Sequence, residues 1–454
     1  MKNFFSNIQA KIGIKSDRTK NISKHVVLSA IYKGGHIVCT FLLVPLTIDF
    51  LDTENYGVWL TLSSFIGWFS FFDIGLGNGL RNKFAMARAT QNLELAKGYV
   101  STAYFSIASI CAVFFLISLA AGYWIDWTKV FNTSAAMHGQ LQLLMPVVFG
   151  CFSLQLLLKL ITSVYVGDQN HSINGKISFF SAAISLFIVW LLTKTANSSL
   201  LLFGIIFSGL PVIILLLLNL YAFSGKYKAY LPQFSFWKKI YFKDVFGLGI
   251  TFFLIQISVL VLFSTDNFII TQLFGPAEVV PYNIAYKYLG ISNMIFTILL
   301  TPYWSSITEA YAKGELEWIK NAMKNLMKFM FGILIIIVVL IVCSKWAYRI
   351  WLGNKVMIPL DLTLMMALFY TITMAYAPFN FFINGVGKIR LHMYTFLIAA
   401  IVNIPLSIFL VRVTSLGTSA VILATSICVL PNLFLFPLQY IKLINEKAHG
   451  IWNR

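Results

Sequence analysis

The chain has 454 residues, of which 59% are hydrophobic and 11% charged, with a mean hydropathy of +0.80. About a quarter of the residues of a soluble domain are charged, so this composition excludes a globular chain with a water-solvated surface. The net charge of +18 does not indicate nucleic-acid binding, because the basic residues fall in short segments between apolar runs. The sequence therefore predicts a polytopic membrane protein.

The first predicted element is a basic segment without the apolar run of a cleavable signal peptide. Its residues Phe4, Phe5, Ile8 and Ile12 recur at helical spacing, which is typical of a short helix on the membrane surface. A mobile basic tail remains the alternative. Because the residues that follow are apolar over lengths of about 20, we predict transmembrane helices and not the alternating strands of a barrel. The twelve predicted spans are 26–50, 56–79, 98–125, 141–166, 175–194, 198–222, 244–273, 279–306, 327–348, 358–384, 391–411 and 417–440.

The loops between these spans differ in charge on the two sides. The side that holds the N-terminus carries 25 of the 34 lysines and arginines, and the other side carries six. Basic loops stay in the cytoplasm, so both termini are predicted to be cytoplasmic. We expect a cytoplasmic segment 1–25, a six-helix bundle 26–223, a basic linker 224–243, a second six-helix bundle 244–440 and a cytoplasmic tail 441–454.

The loops and the reactive side chains give no indication of an enzyme or of a cofactor. The outer loops are too short for a catalytic domain, and no G-x-x-x-x-G-K-[ST] motif indicates an ATP-driven pump. The five cysteines lie inside apolar runs, and the six histidines are scattered without metal-ligand spacing. We therefore predict no cofactor, no metal and no disulfide framework.

A repeat divides the chain near its middle. The segment "ARATQNLELAK" at 87–97 matches "AYAKGELEWIK" at 310–320 in five of eleven positions, at a constant offset of 223. Each segment follows the second span of a six-span block. Since six spans return the chain to the side on which it entered, the two bundles are predicted to be parallel repeats around a central cleft.

The segment "FFDIGLGNGLRNKFA" at 71–85 first suggests a phosphate-binding loop. Its glycines have the spacing G-x-G-x-G, not G-x-G-x-x-G, and no strand precedes them. We interpret it as the cytoplasmic exit of the second span, with glycines that permit tight packing or a bend. Asp73 and Arg81 are expected to pair or to line the cytoplasmic mouth.

Four other ionisable residues lie within predicted spans, where charge is costly and usually faces a cavity or a partner. Lys33 either has a functional role or extends its side chain to the cytoplasmic headgroups. Lys159 is expected to face the cleft. Asp266 and Lys287 lie on adjacent spans and form either a structural ion pair or part of a binding cavity. The excess of cations predicts an anionic substrate.

Two segments resemble a known family: "TENYGVWLTLSSFIGWFSFFDIGLGNGLRNKFAMA" (53–87) and "FSTDNFIITQLFGPAEVVPYNIAYKYLG" (263–290). They are similar to O-antigen and capsule repeat-unit flippases of the Wzx type, in the polysaccharide transporter branch of the multidrug/oligosaccharidyl-lipid/polysaccharide (MOP) exporter superfamily. The resemblance implies a V-shaped pair of bundles in the bacterial inner membrane. It further implies transport of an undecaprenyl-pyrophosphate-linked oligosaccharide from the cytoplasmic to the periplasmic leaflet.

The resemblance also implies roles for the intramembrane charges. Lys33, Arg81, Lys159 and Lys287 would bind pyrophosphate or sugar, and a carboxylate, Asp73 or Asp266, would couple transport to H⁺ or Na⁺. The implied partners are the lipid-linked oligosaccharide, membrane lipids and a polysaccharide polymerase, with no nucleic acid. Three alternatives remain: a cation-coupled drug exporter of the same superfamily, a membrane polymerase or ligase, and a flippase for a cell-wall precursor lipid or teichoic-type polymer.

Overall fold

The computed structural model describes residues 17–69, 71–168, 170, 172–246 and 250–453, and every regular element within them is a helix. Ten helical stretches among these residues are long and apolar enough to cross a bilayer. The predicted class of an all-helical membrane protein is therefore confirmed. Span 279–306 is helical where described but is not among the ten, and residues 56–64 of span 56–79 fall in the same stretch as the first predicted span, Ile31–Ser64. The number twelve and the side of each terminus therefore stay predictions. The predicted surface helix around 4–12 lies outside the described residues.

The chain forms two compact units. The first falls within 1–52, 70–129 and 134–248, and the second within 53–69, 130–133 and 249–454. Helix α1, Asp17–Phe69, contributes to both, because the non-helical backbone of Asp52 (φ 67°, ψ 174°) interrupts it. The division into two six-helix bundles at 26–223 and 244–440 stays a prediction.

Among the described residues, the first unit holds seven further helices of eight residues or more. These are α2 (Phe71–Ala89), α3 (Leu93–Trp124), α4 (His138–Leu158), α5 (Leu160–Gly167), α6 (Ile173–Thr195), α7 (Leu200–Ser224) and the short α8 (Lys239–Phe246). Helix α3 packs on α2, α4 and α8. Its residues Tyr99, Val100, Ala103 and Ile107 are buried at helical spacing, so one face of the helix forms the core of this unit.

The second unit holds the remaining helices. They are α9 (Ile250–Phe274), α10 (Val279–Ala312), α11 (Leu316–Leu352), α12 (Leu360–Val386), α13 (Arg390–Val413), α14 (Ser419–Val429) and α15 (Asn432–Ile444). Helix α12 packs on α10, α14 and α15, and α13 packs on α9 and α14.

Two glycines allow backbones to touch. A Cβ atom added to Gly79 of α2 would lie 1.9 Å from the carbonyl oxygen of Val245 in α8. In the second unit, a Cβ atom added to Gly57 would lie 1.7 Å from the carbonyl oxygen of Pro276. No side chain fits at either position, so the tight packing predicted for the glycines of 71–85 is found at Gly79.

The two repeated segments have the same local structure. In the first, Gln91 has a positive φ of 54° and the amide of Asn92 donates to the carbonyl of Ala87 over 2.9 Å. In the second, 223 residues later, Gly314 has a φ of 73° and the amide of Glu315 donates to the carbonyl of Ala310, again over 2.9 Å. Helices α3 and α11 begin at the equivalent residues. The same helix–turn–helix connection thus occurs once in each half of the chain.

Candidate functional site

Asp266 of α9 lies at the centre of a polar cluster inside the second unit. Its side chain is 3% exposed. The Tyr282 hydroxyl donates to Asp266 Oδ2 over 2.5 Å, and the Thr425 hydroxyl lies 3.4 Å from each carboxyl oxygen. Both partners are neutral. Since an ionised carboxylate is costly to bury without a compensating charge, this group is chemically suited to bind a proton or a small cation.

Further hydrogen bonds extend the cluster through neighbouring helices. The amide of Asn403 on α13 donates to the Thr425 hydroxyl over 2.8 Å. One residue beyond Asp266, Asn267 donates to the Ser64 hydroxyl over 2.7 Å and accepts from the Asn283 amide over 2.8 Å. The cluster therefore joins α9 to α10, α13, α14 and the second part of α1.

Lys287 is half-buried on α10, one turn after Asn283. Within the part of the chain that the structure describes, it forms no ion pair with Asp266, whose partners are Tyr282 and Thr425. Both residues thus lie in the second unit, but the predicted structural ion pair of Asp266 and Lys287 is not formed among the described residues. A neutral hydroxyl network replaces it.

The predicted cations of the first unit lie at three separate places along the helices. Lys33 is exposed on α1, and Arg81 is exposed on α2. Lys159 is exposed at the break between α4 and α5, where the Thr162 hydroxyl donates to its carbonyl oxygen over 2.9 Å. The side chain of Asp73 lies outside the described part of the chain, so its pairing with Arg81 stays a prediction.

The glycines beside Lys33 differ in their surroundings. A Cβ atom on Gly35 would lie 2.6 Å from the Phe179 ring, whereas one on Gly34 would meet no atom within 4 Å. Gly35 therefore permits the close approach of α6. Gly34 has no packing contact of this kind.

A second charged cluster, which the sequence pattern did not reveal, surrounds Asp168 at the end of α5. Arg88 forms an ion pair with Asp168 Oδ1, and Lys226 Nζ lies 2.5 Å from Oδ2. The Tyr227 hydroxyl donates to Oδ2 over 2.7 Å. Burial raises the pKa of Tyr227, so it stays a donor at physiological pH. This cluster joins the last turn of α2 to the segments that follow α5 and α7.

His392 of α13 is buried between the rings of Phe396 and Phe436, at centroid distances of 4.5 and 5.4 Å. Neither ring nitrogen has a hydrogen-bonding partner among the described residues. Nothing in the sequence pattern separates His392 from the other histidines, since one histidine in an apolar run carries no spacing signal.

A helical fold with ten candidate spans and a polar cluster inside its helices defines a multi-pass membrane protein. The family model described as MatE matches residues 252–409. The chain is 24% identical over 386 residues to a Yersinia pseudotuberculosis protein named for O-antigen export. The alignment covers 81% of this chain and 85% of that relative. It is also 24% identical over 369 residues to a Shigella flexneri protein named as an O-antigen transporter, with 79% and 84% covered.

The fold is also that of a solved transporter structure. It is described as the inward-facing conformation of a multidrug resistance MATE family transporter of the MOP superfamily. The TM-score is 0.76 at 13% identity, with 93% of this chain and 100% of that chain covered. The resemblance to MOP-superfamily transporters inferred from the sequence is thus confirmed. Each of these proteins is named for transport or export and none for catalysis.

Proposed function

We propose that this chain is a flippase of the bacterial inner membrane. Its substrate is an undecaprenyl-pyrophosphate-linked oligosaccharide repeat unit, which it moves from the cytoplasmic to the periplasmic leaflet for synthesis of O-antigen, capsule or exopolysaccharide. The observation that carries this proposal is similarity over about four fifths of the chain to two relatives named for O-antigen export or transport. A membrane carrier is needed because sugars and pyrophosphate cannot cross about 30 Å of hydrocarbon unaided.

In this proposal Lys33, Arg81, Lys159 and Lys287 bind the pyrophosphate and the sugars during alternating access. Lysine attracts phosphate as a point charge, and arginine can bind it bidentately. Asp266 exchanges H⁺ or Na⁺, which its burial among neutral hydroxyls supports. Asp73 assists at the cytoplasmic mouth. The released lipid-linked unit passes to a polysaccharide polymerase.

Complementation of a strain that lacks the gene tests the proposal. We expect the unaltered chain to restore surface polysaccharide, and Asp266→Asn or the pair Lys33→Ala and Lys287→Ala to fail at equal protein levels in the membrane. The matched control is Lys345→Ala. This lysine is exposed near the C-terminal end of α11 and has no assigned role. An unchanged amount of surface polysaccharide with each variant would contradict the roles assigned to these residues.

Reconstituted vesicles separate this function from its alternatives. A flippase transfers a fluorescent lipid-linked oligosaccharide between leaflets, and an imposed proton or sodium gradient accelerates that transfer. A polymerase or ligase lengthens or joins the oligosaccharide without moving it. A drug exporter protects cells from organic cations and leaves the lipid in place. The behaviour of a polymerase or ligase, or that of a drug exporter, would overturn the proposal.

A further inference from the structure

A groove in the first unit lies between α3 and the linker that follows α7. It encloses about 360 Å³ and is lined mainly by Phe105, Ser109 and Ile110 of α3 and by Phe234, Trp237 and Phe242 of the linker and α8. The indole nitrogen of Trp237 donates to the Ser106 hydroxyl over 3.0 Å, which fixes the orientation of the ring. The volume is that of a small-molecule site, and its walls are largely apolar.

The groove continues into a surface that suits acyl chains. Beyond Ile110, the residues Val113, Leu116 and Ile117 of α3 are more than half exposed and follow one another at helical spacing. Within a candidate span, such an exposed apolar stripe faces the hydrocarbon of the bilayer. At the other end of the groove Phe234 is 72% exposed, and its ring packs edge-on against Phe105 at 5.3 Å.

The linker side of the groove is cationic. Lys239 and Lys243 are exposed and lie one turn apart on α8, the helix that supplies Phe242 to the groove. Lys228 is exposed on the same linker. Among the residues that the structure describes, none of these three lysines has an acidic partner within 4 Å, whereas the neighbouring Lys238 lies 4.0 Å from Glu94.

We propose that this groove binds an anionic phospholipid of the surrounding leaflet. The acyl chain lies between α3 and the aromatic residues of the linker, and the headgroup phosphate contacts Lys239 and Lys243. A neutral lipid would leave the lysines without a partner, and free phosphate would leave the apolar groove unused. The site does not depend on the transported molecule, so it stands even if the proposed flippase substrate is wrong.

Native mass spectrometry of the purified full chain tests the site. The protein is released from nanodiscs of phosphatidylglycerol or of phosphatidylcholine, and the retained lipids are counted. We expect one phosphatidylglycerol to be retained in preference to phosphatidylcholine. Lys239→Gln with Lys243→Gln should weaken its apparent affinity about 25-fold, because each lysine near an anionic surface contributes about a fivefold factor.

The matched control is Lys324→Gln with Lys328→Gln. These lysines are exposed and one turn apart on α11, a helix that does not line the groove, so the change in charge and the spacing are the same at a different place. A second variant, Ser109→Trp, fills the groove from an exposed position and leaves every lysine in place. It should also lose the retained lipid, and a thermal melt of each variant establishes that it is folded.

Three results would overturn the proposal. The first is equal retention of both lipids, and the second is equal loss of phosphatidylglycerol in the α8 and α11 lysine variants. The third is displacement of phosphatidylglycerol by undecaprenyl phosphate or inorganic phosphate at equal concentration, which would assign the groove to the polyprenyl lipid or to a phosphate ion. Selective loss in the α8 and Ser109 variants alone supports a phospholipid site.

Discussion

Replacement of Gly79 by alanine tests a close helix contact of the first unit. The new Cβ atom would lie 1.9 Å from the carbonyl oxygen of Val245 and 2.9 Å from its carbonyl carbon. An ordinary contact begins near 3.4 Å, so α8 would have to retreat by about 1.5 Å. Because the obstructing atoms belong to the backbone, no side-chain rotation can relieve the overlap.

Two opposing effects determine the size of the change. Overpacking of a close contact costs about 1–3 kcal/mol and sometimes more. Alanine in place of glycine inside a helix returns about 1 kcal/mol. We expect the overlap to prevail. If it costs about 3 kcal/mol, the upper end of that range, the net loss of stability is about 2 kcal/mol. For a unit of roughly 200 residues this corresponds to a decrease in Tm of about 4–8 °C.

The assay is the thermal unfolding of detergent-solubilised protein, followed by fluorescence-detected size-exclusion chromatography. Gly332→Ala on α11 is the control, because a Cβ atom there would meet no atom within 4 Å and alanine should raise or preserve Tm. Gly79→Ala should also weaken phosphatidylglycerol retention, since α8 carries Lys239 and Lys243. A Tm of Gly79→Ala equal to that of Gly332→Ala would refute the reasoning.

Two further substitutions test the second unit. Gly57→Ala should lower Tm at least as much as Gly79→Ala, because its Cβ atom would lie 1.7 Å from the Pro276 carbonyl oxygen. The control is Gly209→Ala, whose Cβ atom would meet no described atom within 4 Å. Equal Tm values for the two variants would contradict this prediction. Tyr282→Phe should slow gradient-driven transfer of the lipid-linked oligosaccharide by roughly tenfold, the equivalent of one hydrogen bond to a charged group. Transfer at the unaltered rate in folded protein would show that this hydroxyl has no part in coupling.

The helices could largely be predicted because the length of an apolar run is the main sequence signal for where a span begins and ends. The predicted spans 198–222 and 391–411 correspond to α7 and α13 within two residues at each end. The predicted span 327–348 fails at one end, since α11 begins eleven residues earlier at Leu316. Its first turns are amphipathic, with Ile319, Met323 and Leu326 buried, and mean hydropathy gives no signal for such a segment.

The site could be predicted only in part. Asp266 was recognisable because a carboxyl within an apolar run is rare. Its neighbour Thr425 lies 159 residues further along the chain and carries no charge, so the sequence favoured Lys287 as the partner. The ion pair of Arg88 and Asp168 could not be predicted for a similar reason. Both residues lie at helix ends, where basic and acidic side chains are ordinarily solvated.

The carboxyl groups of the half-buried Asp168 and the buried Asp266 should respond in opposite ways to the same substitution. Asp168 has two cationic partners, so Asp168→Asn leaves Arg88 and Lys226 uncompensated and should cost about 1–2 kcal/mol, less than a fully buried pair because both cations reach water. Among the residues that the structure describes, Asp266 has only neutral partners. Asp266→Asn therefore removes a charge that is costly to bury and should preserve or raise Tm while it abolishes ion-driven transfer. Thermal melts of the two variants beside the unaltered chain measure this difference. An equal loss of Tm in both variants would mean that a positive charge pairs with the Asp266 carboxylate in the folded protein. That result would remove the physical basis for assigning Asp266 to coupling.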